Sequence, residues 1–179
     1  MQYWKRIKIK NFELIQKKTL EFIQRQADIL DKDKYRGPFI NLQHLGYFRE
    51  VPEVAEAFYH HGLAIEDANI YLMYKNTDSM PHKDYTDSIA RVNIPILNCD
   101  RTWTTFYENV QSKRLVLPTG APFYATTNRD YVEVDRVETN QPTIIRISEG
   151  HNVIMDEARS PRIMLTLSFN PDAGLLLDD

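Results

Sequence analysis

ANIYLMYK (68–75), ARVNIPILN (90–98), TWTTFYE (102–108) and RIMLTLSF (162–169) are the stretches that decide the fold. Between them lie KRLVLP (113–118), APFYATT (121–127), YVEVDRV (131–137), PTIIRIS (142–148) and HNVIM (151–155). Each run is rich in β-branched and aromatic residues. Each is separated from the next by polar or Pro/Gly-containing breaks. Short strands at this spacing read as an antiparallel sandwich or jelly roll. The gaps leave little room for the crossover helices of a parallel α/β sheet.

The last run is the most informative. Alternation puts Ile163, Leu165, Leu167 and Phe169 on one face and Arg162, Met164, Thr166 and Ser168 on the other. The first face is wholly apolar. The second begins with a charge, whose burial is expensive unless an anion meets it. That face either looks to water or lines a pocket for an anionic ligand, and the strand pattern weights the two readings equally.

Upstream of residue 68 the pattern is helical. Asn11 suits a helix cap, and Phe12, Ile15, Phe22, Ile23, Ala27 and Leu30 recur at helical spacing, which predicts a helix from Asn11 to about Leu30. DKDKYRGP (31–38) breaks it. A second helix is expected from about Pro52 to His61, with Gly62 just past its end. The expected organisation is one mainly β domain. A helical lead-in, about 1–67, packs outside a β core, about 68–170, and covers one sheet. MQYWKRIKIK (1–10) alternates basic and apolar residues and reads as an opening strand rather than a nucleic-acid arm.

Bulk properties narrow the function. A formal net charge of −3 over 179 residues gives no electrostatic case for a nucleic-acid partner. Cys99 is the only cysteine, so no internal disulfide can form, and a buried structural thiol is the plainer reading of it than a nucleophile. No apolar run reaches signal-peptide or membrane-spanning length, which makes the cytoplasm the default location.

The chemistry gathers around three residues. His82 and Asp84 are two positions apart in SMPHKDY (79–85), and in extended chain residues i and i+2 point the same way. An imidazole and a carboxylate can therefore reach one ion together. His151 lies near the other end of the strand set, which a jelly roll can fold back onto them. Two histidines and one carboxylate form a facial triad that suits non-haem iron(II) and leaves positions open for a chelating co-substrate and dioxygen. Zinc accepts the same ligands, so spacing alone does not choose the metal. His44, His60 and His61 lie in the helical lead-in and read as surface residues.

HKDYTDSIARVNIPILNCDRTWTTFY (82–107), followed by NQPTIIRISEGHNVIMDEARSPRIMLTLSF (140–169), resembles the iron(II)- and 2-oxoglutarate-dependent oxygenases. The resemblance covers about residues 68–170. Within that superfamily it is most similar to small phage-like and marine microbial members and to the aspartyl/asparaginyl β-hydroxylase-like group. It implies a double-stranded β-helix of cupin-like form and a hydroxylase. Fe(II) would be held by His82, Asp84 and His151. Arg162 would pair with the distal carboxylate of 2-oxoglutarate, a pairing that guanidinium geometry favours. Asn93 and Arg91 would stand at the level of the same co-substrate, Arg91 being equally suited to an acidic substrate or a surface ion pair. Thr166 and Ser168 would add hydroxyl contacts. The sequence departs from the pattern in placing Met164 where many members have serine, and Arg159 competes with Arg162 for the anion.

The implied reaction oxidises 2-oxoglutarate to succinate and carbon dioxide and hydroxylates an unactivated C–H bond of a small molecule, amino acid or peptide side chain, with dioxygen as oxidant. Tyr85, Arg91, Trp103 and Tyr107 are candidate substrate contacts, Trp103 fitting the core better. Residues Lys32 to Gly46 read as a lid or a plain surface loop. Two other readings keep the fold: a cupin-like metal enzyme that uses no 2-oxoglutarate, and a metal-free jelly-roll binding or structural protein.

Overall fold

The computed structural model describes residues 1–26, 39–74, 80–84, 88–116, 122–155 and 160–177. The twelve strands among them are β1 (Trp4–Arg6), β2 (Phe39–Asn41), β3 (Ala64–Met73), β4 (His82–Lys83), β5 (Ala90–Leu97), β6 (Thr102–Glu108), β7 (Ser112–Val116), β8 (Pro122–Thr126), β9 (Val132–Glu138), β10 (Thr143–Arg146), β11 (Gly150–Met155) and β12 (Arg162–Asn170). They form two six-stranded sheets, β1-β10-β5-β12-β3-β2 and β7-β8-β4-β11-β6-β9. Every pairing is antiparallel. This is the jelly-roll arrangement, mainly β; among the described residues the α-helices lie in the N-terminal part and a short 3-10 turn closes the chain.

β12, between β5 and β3 in the first sheet, is buried on both sides. All eight residues from Arg162 to Phe169 are buried. Ile163, Leu165, Leu167 and Phe169 join Ile70, Leu72, Val92 and Ile94 in the main core. That core is closed by Ile15, Phe22 and Ile23 of α1 (Phe12–Arg25) and by Val54 and Phe58 of α3 (Glu53–Tyr59). The helices thus cover one sheet from outside. Their apolar stripe and the odd-numbered face of β12 remove one another from water. The even-numbered face turns inward. Arg162 reaches residues of the second sheet from it, so this face lines the space between the sheets rather than meeting solvent.

Several expectations change in detail. α1 begins after Asn11, but Asn11 makes no side-chain cap; it turns the chain through a left-handed conformation at φ 59°. The helix ends at Arg25, short of Leu30, because Gln26 leaves helical geometry and its N–H falls back on Ile23 and Phe22. Ala27 and Leu30 lie outside the described residues. Of the suggested lid, residues 32–38 also lie outside them, and the rest is not a loose loop. Phe39–Asn41 forms β2 on the edge of the first sheet, with Ile40 and Leu42 in the core. The helix α2 (Tyr47–Glu50) follows, again with Tyr47 fully buried. Alternation over three residues was too short to be seen as a strand. His82 opens the two-residue strand β4.

Candidate functional site

β4 and β11 are neighbours in the second sheet, and His82 stands directly opposite His151. The rings are 4.7 Å apart between centroids. Asp84 leaves the end of β4, its N–H held by the carbonyl of Ile147 at 3.2 Å, and its Oδ1 comes 3.5 Å from His82 Nε2. One donor atom from each of His82, Asp84 and His151 lies within 4.8 Å of the others. Among the described residues this is the only group of three such side chains that could hold a metal ion.

Both imidazoles are prepared as ligands by the backbone. His82 Nδ1 lies 2.9 Å from the carbonyl of Met80, and His151 Nδ1 lies 2.9 Å from that of Glu149. A carbonyl only accepts, so each Nδ1 carries the proton and each Nε2 presents its lone pair. In each case the partner is two residues upstream. An extended chain leading into a short strand supplies that carbonyl. Burial, then the neighbouring His82, lowers the His151 pKa to about 4, which keeps the ring neutral near pH 7. Gly150 makes the approach possible, because a Cβ there would meet Val110 Cγ2 at 2.4 Å and the Tyr107 carbonyl at 3.0 Å.

Register tells which residues share the space with the triad. His151 pairs with Phe106, Val153 with Thr104, and Met155 with Thr102. Phe106, Thr104 and Thr102 therefore face inward with His151, while Trp103 and Tyr107 face the other way. Neither Trp103 nor Tyr107 is placed to touch a substrate at the triad. Tyr107 instead donates to Asn152 Oδ1 and packs edge-on against Tyr131.

Arg162 enters from the first sheet. It is 1% exposed, the largest fully buried side chain among the described residues. Its Nε donates to Thr102 Oγ1 and its Nη2 to Thr139 Oγ1, both at 3.2 Å. Nη1 is buried and has no hydrogen-bond partner among the described residues. The guanidinium centre lies 5.8 Å from the Tyr71 ring. Burial lowers its pKa, yet guanidinium keeps its proton at any ordinary pH. Among the described residues, the contacts of this buried cation are two neutral hydroxyls and a ring face. Thr104 Oγ1, on the same inward face of β6, is also buried without a hydrogen-bond partner among the described residues.

The other residues singled out from the sequence fall at different levels. Arg91, Asn93, Thr166 and Ser168 are all in the first sheet. Arg91 is opposite Ile145, which packs with Phe106, and its charge is felt at His151. Asn93 and Thr166 are paired with each other across β5 and β12. Ser168 is opposite Asp67, six residues beyond Arg162, about 20 Å at the rise of a strand. Arg159 and Tyr85 lie outside the described residues. Three inward residues were not anticipated: Tyr71, Thr102 and Thr139. Tyr71 sits opposite Met164 on β3. Burial raises its pKa, and the charges of Arg162 and Asp84 both act on it. The alternation Asn69, Tyr71, Met73 in the first quoted strand carried that signal. Thr139 follows β9 and has no sequence mark of its own.

No family model matches this sequence, and no curated protein matches it. Solved structures do match in fold. The epimerase SnoN in complex with Fe3+, alpha ketoglutarate and nogalamycin RO aligns over 99% of this chain and 85% of its own, at 14% identity and a TM-score of 0.53. A second structure of SnoN, described as a non-heme alpha ketoglutarate dependent epimerase from nogalamycin biosynthesis, aligns over 99% and 84% at 14% identity and a TM-score of 0.51. A prolyl-4-hydroxylase of Pseudomonas putida aligns over 94% and 88% at 13% identity and a TM-score of 0.44. The SnoN matches show that the double-stranded β-helix is this chain's fold. No helix among the described residues is long and apolar enough to cross a membrane.

Proposed function

We propose that this chain is an iron(II)- and 2-oxoglutarate-dependent oxygenase. It would hydroxylate an unactivated C–H bond of a small molecule, amino acid or peptide side chain. The observation that carries the reading is the pairing of two features in one inter-sheet space. One is a His-His-Asp triad with both Nε2 lone pairs presented; the other is a buried arginine whose Nη1 has no partner among the described residues. The donor set suits a divalent ion of the iron type and leaves coordination positions open. A buried guanidinium with Nη1 unmatched among the described residues suits the far carboxylate of a dicarboxylic 2-oxo acid. A metal enzyme without that co-substrate has no use for Arg162, and a metal-free binding protein has no use for the two oriented imidazoles. That SnoN is described with iron and alpha ketoglutarate in the same fold supports the reading.

In this reading His82, Asp84 and His151 hold Fe(II), and Arg162 binds the distal carboxylate of 2-oxoglutarate. The Tyr71 ring lies 5.8 Å from the Arg162 guanidinium. Asn93, Arg91 and Thr166 line the inward face of the first sheet. Arg91 is the side chain best placed to meet an acidic group of co-substrate or substrate. Ser168 stands too far along β12 to share an anion with Arg162. When bound, iron would activate dioxygen, the oxidant, with 2-oxoglutarate giving up two of the electrons. The chain's part is to neutralise and orient the co-substrate and to keep the site dry between two sheets. Strands 68–170 with the helical lead-in would act as one unit. By the resemblance of 82–107 and 140–169, the chain would stand beside small phage-like or marine microbial members and the aspartyl/asparaginyl β-hydroxylase-like group.

The test is anaerobic titration with Fe(II), then 2-oxoglutarate, followed by exposure to air. One equivalent of each should bind, and succinate should appear even without a prime substrate. His151→Ala should abolish iron binding, and Arg162→Ala should weaken 2-oxoglutarate at least tenfold. Iron binding with no dependence on 2-oxoglutarate would favour the cupin-like alternative instead.

A further inference from the structure

Arg162 is held by two side chains from a different sheet, and the way they are held is specific. Thr102 opens β6, and its hydroxyl donates to the carbonyl of Cys99 at 2.7 Å. With its proton committed there, Thr102 Oγ1 faces the arginine with lone pairs and accepts from Nε. Thr139 lies just past β9, where its N–H donates to the carbonyl of Thr102 at 2.9 Å. Its Oγ1 lies 3.0 Å from Thr102 Oγ1 and 3.3 Å from the Thr102 carbonyl, so its proton also has a place away from the arginine. It too accepts, from Nη2. Both threonines are 0% exposed. Asn98 completes the brace by donating to the carbonyl of Pro161, the residue before Arg162, at 2.9 Å.

We propose that Thr102 and Thr139 are positioning residues for co-substrate binding. They fix the rotation of the Arg162 guanidinium so that Nη1 is kept for a ligand's carboxylate. Their neutrality is part of the device. An aspartate or glutamate in either place would pair with Arg162 and cancel the charge that an incoming dianion must feel. The two threonines consume one N–H donor each and leave the charge whole. The inference rests on the assignment of Arg162 to the distal carboxylate. It predicts that the cradle matters only to ligands that have such a carboxylate.

Thr139→Val keeps the shape and removes the acceptor. It should weaken anaerobic binding of 2-oxoglutarate to the Fe(II) protein about tenfold and raise its KM by a similar factor. kcat at saturation should stay within twofold and Fe(II) affinity should be unchanged. Binding of pyruvate, a 2-oxo acid with no second carboxylate, should not change. Thr139→Ser should restore 2-oxoglutarate binding to within about threefold of the unaltered protein. Thr102→Ser and Thr102→Val supply the same comparison if Thr139→Val does not fold. If Thr139→Val matches the unaltered protein while Arg162→Ala loses 2-oxoglutarate, the cradle is wrong and the co-substrate assignment stands. If Arg162→Ala also leaves binding intact, the role of Arg162 fails and the cradle with it. Equal weakening of pyruvate and 2-oxoglutarate would point to a merely structural effect and overturn the proposal.

Discussion

Replacing Arg162 with methionine should make the ligand-free protein more stable while removing its response to 2-oxoglutarate. The side chain is 1% exposed and meets two neutral hydroxyls and a ring face. Burying an ion without a counter-charge costs several kcal/mol even after relaxation. Its two hydrogen bonds offset part of that cost. The threonines would keep each other and the Cys99 carbonyl after the change. Methionine fills most of the volume and adapts to irregular space. The balance is a gain of about 1–3 kcal/mol, as when buried ionic groups elsewhere are replaced by apolar ones. In a domain of this size that raises Tm by roughly 2–10 °C. The unaltered protein, by contrast, should gain about 2.7 kcal/mol from a ligand at one hundred times its Kd, and the variant nothing. Thermal denaturation of both proteins, with the metal present and with and without 2-oxoglutarate, reads all four states. A ligand-free Arg162→Met protein that melts below the original would refute the reasoning. It would mean that the buried cation already has a compensating anion within the chain.

Three more outcomes follow from the same contacts. Gly150→Ala forces a Cβ to 2.4 Å from Val110 Cγ2, so urea denaturation should show a loss of about 1–3 kcal/mol, and the shift of β11 should weaken Fe(II) binding through His151. Asp172 accepts from the N–H groups of Ile89, Ala90 and Gly174, and the Ile89 carbonyl in turn accepts from Ile147 and Ser148. Asp172→Ala should cost about 1–3 kcal/mol in the same assay by stranding those donors, and should lower iron affinity because the Ile147 carbonyl holds Asp84. In the metal-free protein the lowered pKa of His151 means that the unfolded chain binds the extra proton between about pH 6.5 and pH 4. Stability should therefore rise with pH across that window and be lost as pH falls through it, a slope that His151→Ala should flatten in equilibrium unfolding followed by circular dichroism.

The strands were legible because alternation is a local property. TWTTFYE reads as β6 over the very residues that form it, and the two faces of RIMLTLSF separate as the alternation implies, one to the helices and one to the interior. The His-x-Asp pair was legible for the same reason, since two residues apart in extended chain share a direction. β2 and α2 were not, because three or four residues carry too little periodicity to stand out, and tertiary burial of Ile40, Leu42 and Tyr47 is what holds them.

What the sequence by itself determined is the jelly-roll pattern, the helical cover and the identity of the candidate triad and its partner arginine. The tertiary structure decided the rest. Which face of β12 meets the second sheet depends on pairing between strands far apart in the chain. So does the opposition of His82 and His151. Only packing could show that Arg162 is buried against Thr102 and Thr139, which are 60 and 23 residues away, and that one of its donors faces the interior without a partner among the described residues. A sequence lists donors and acceptors, but whether a charge is solvated, paired or held for a ligand is settled by what closes over it.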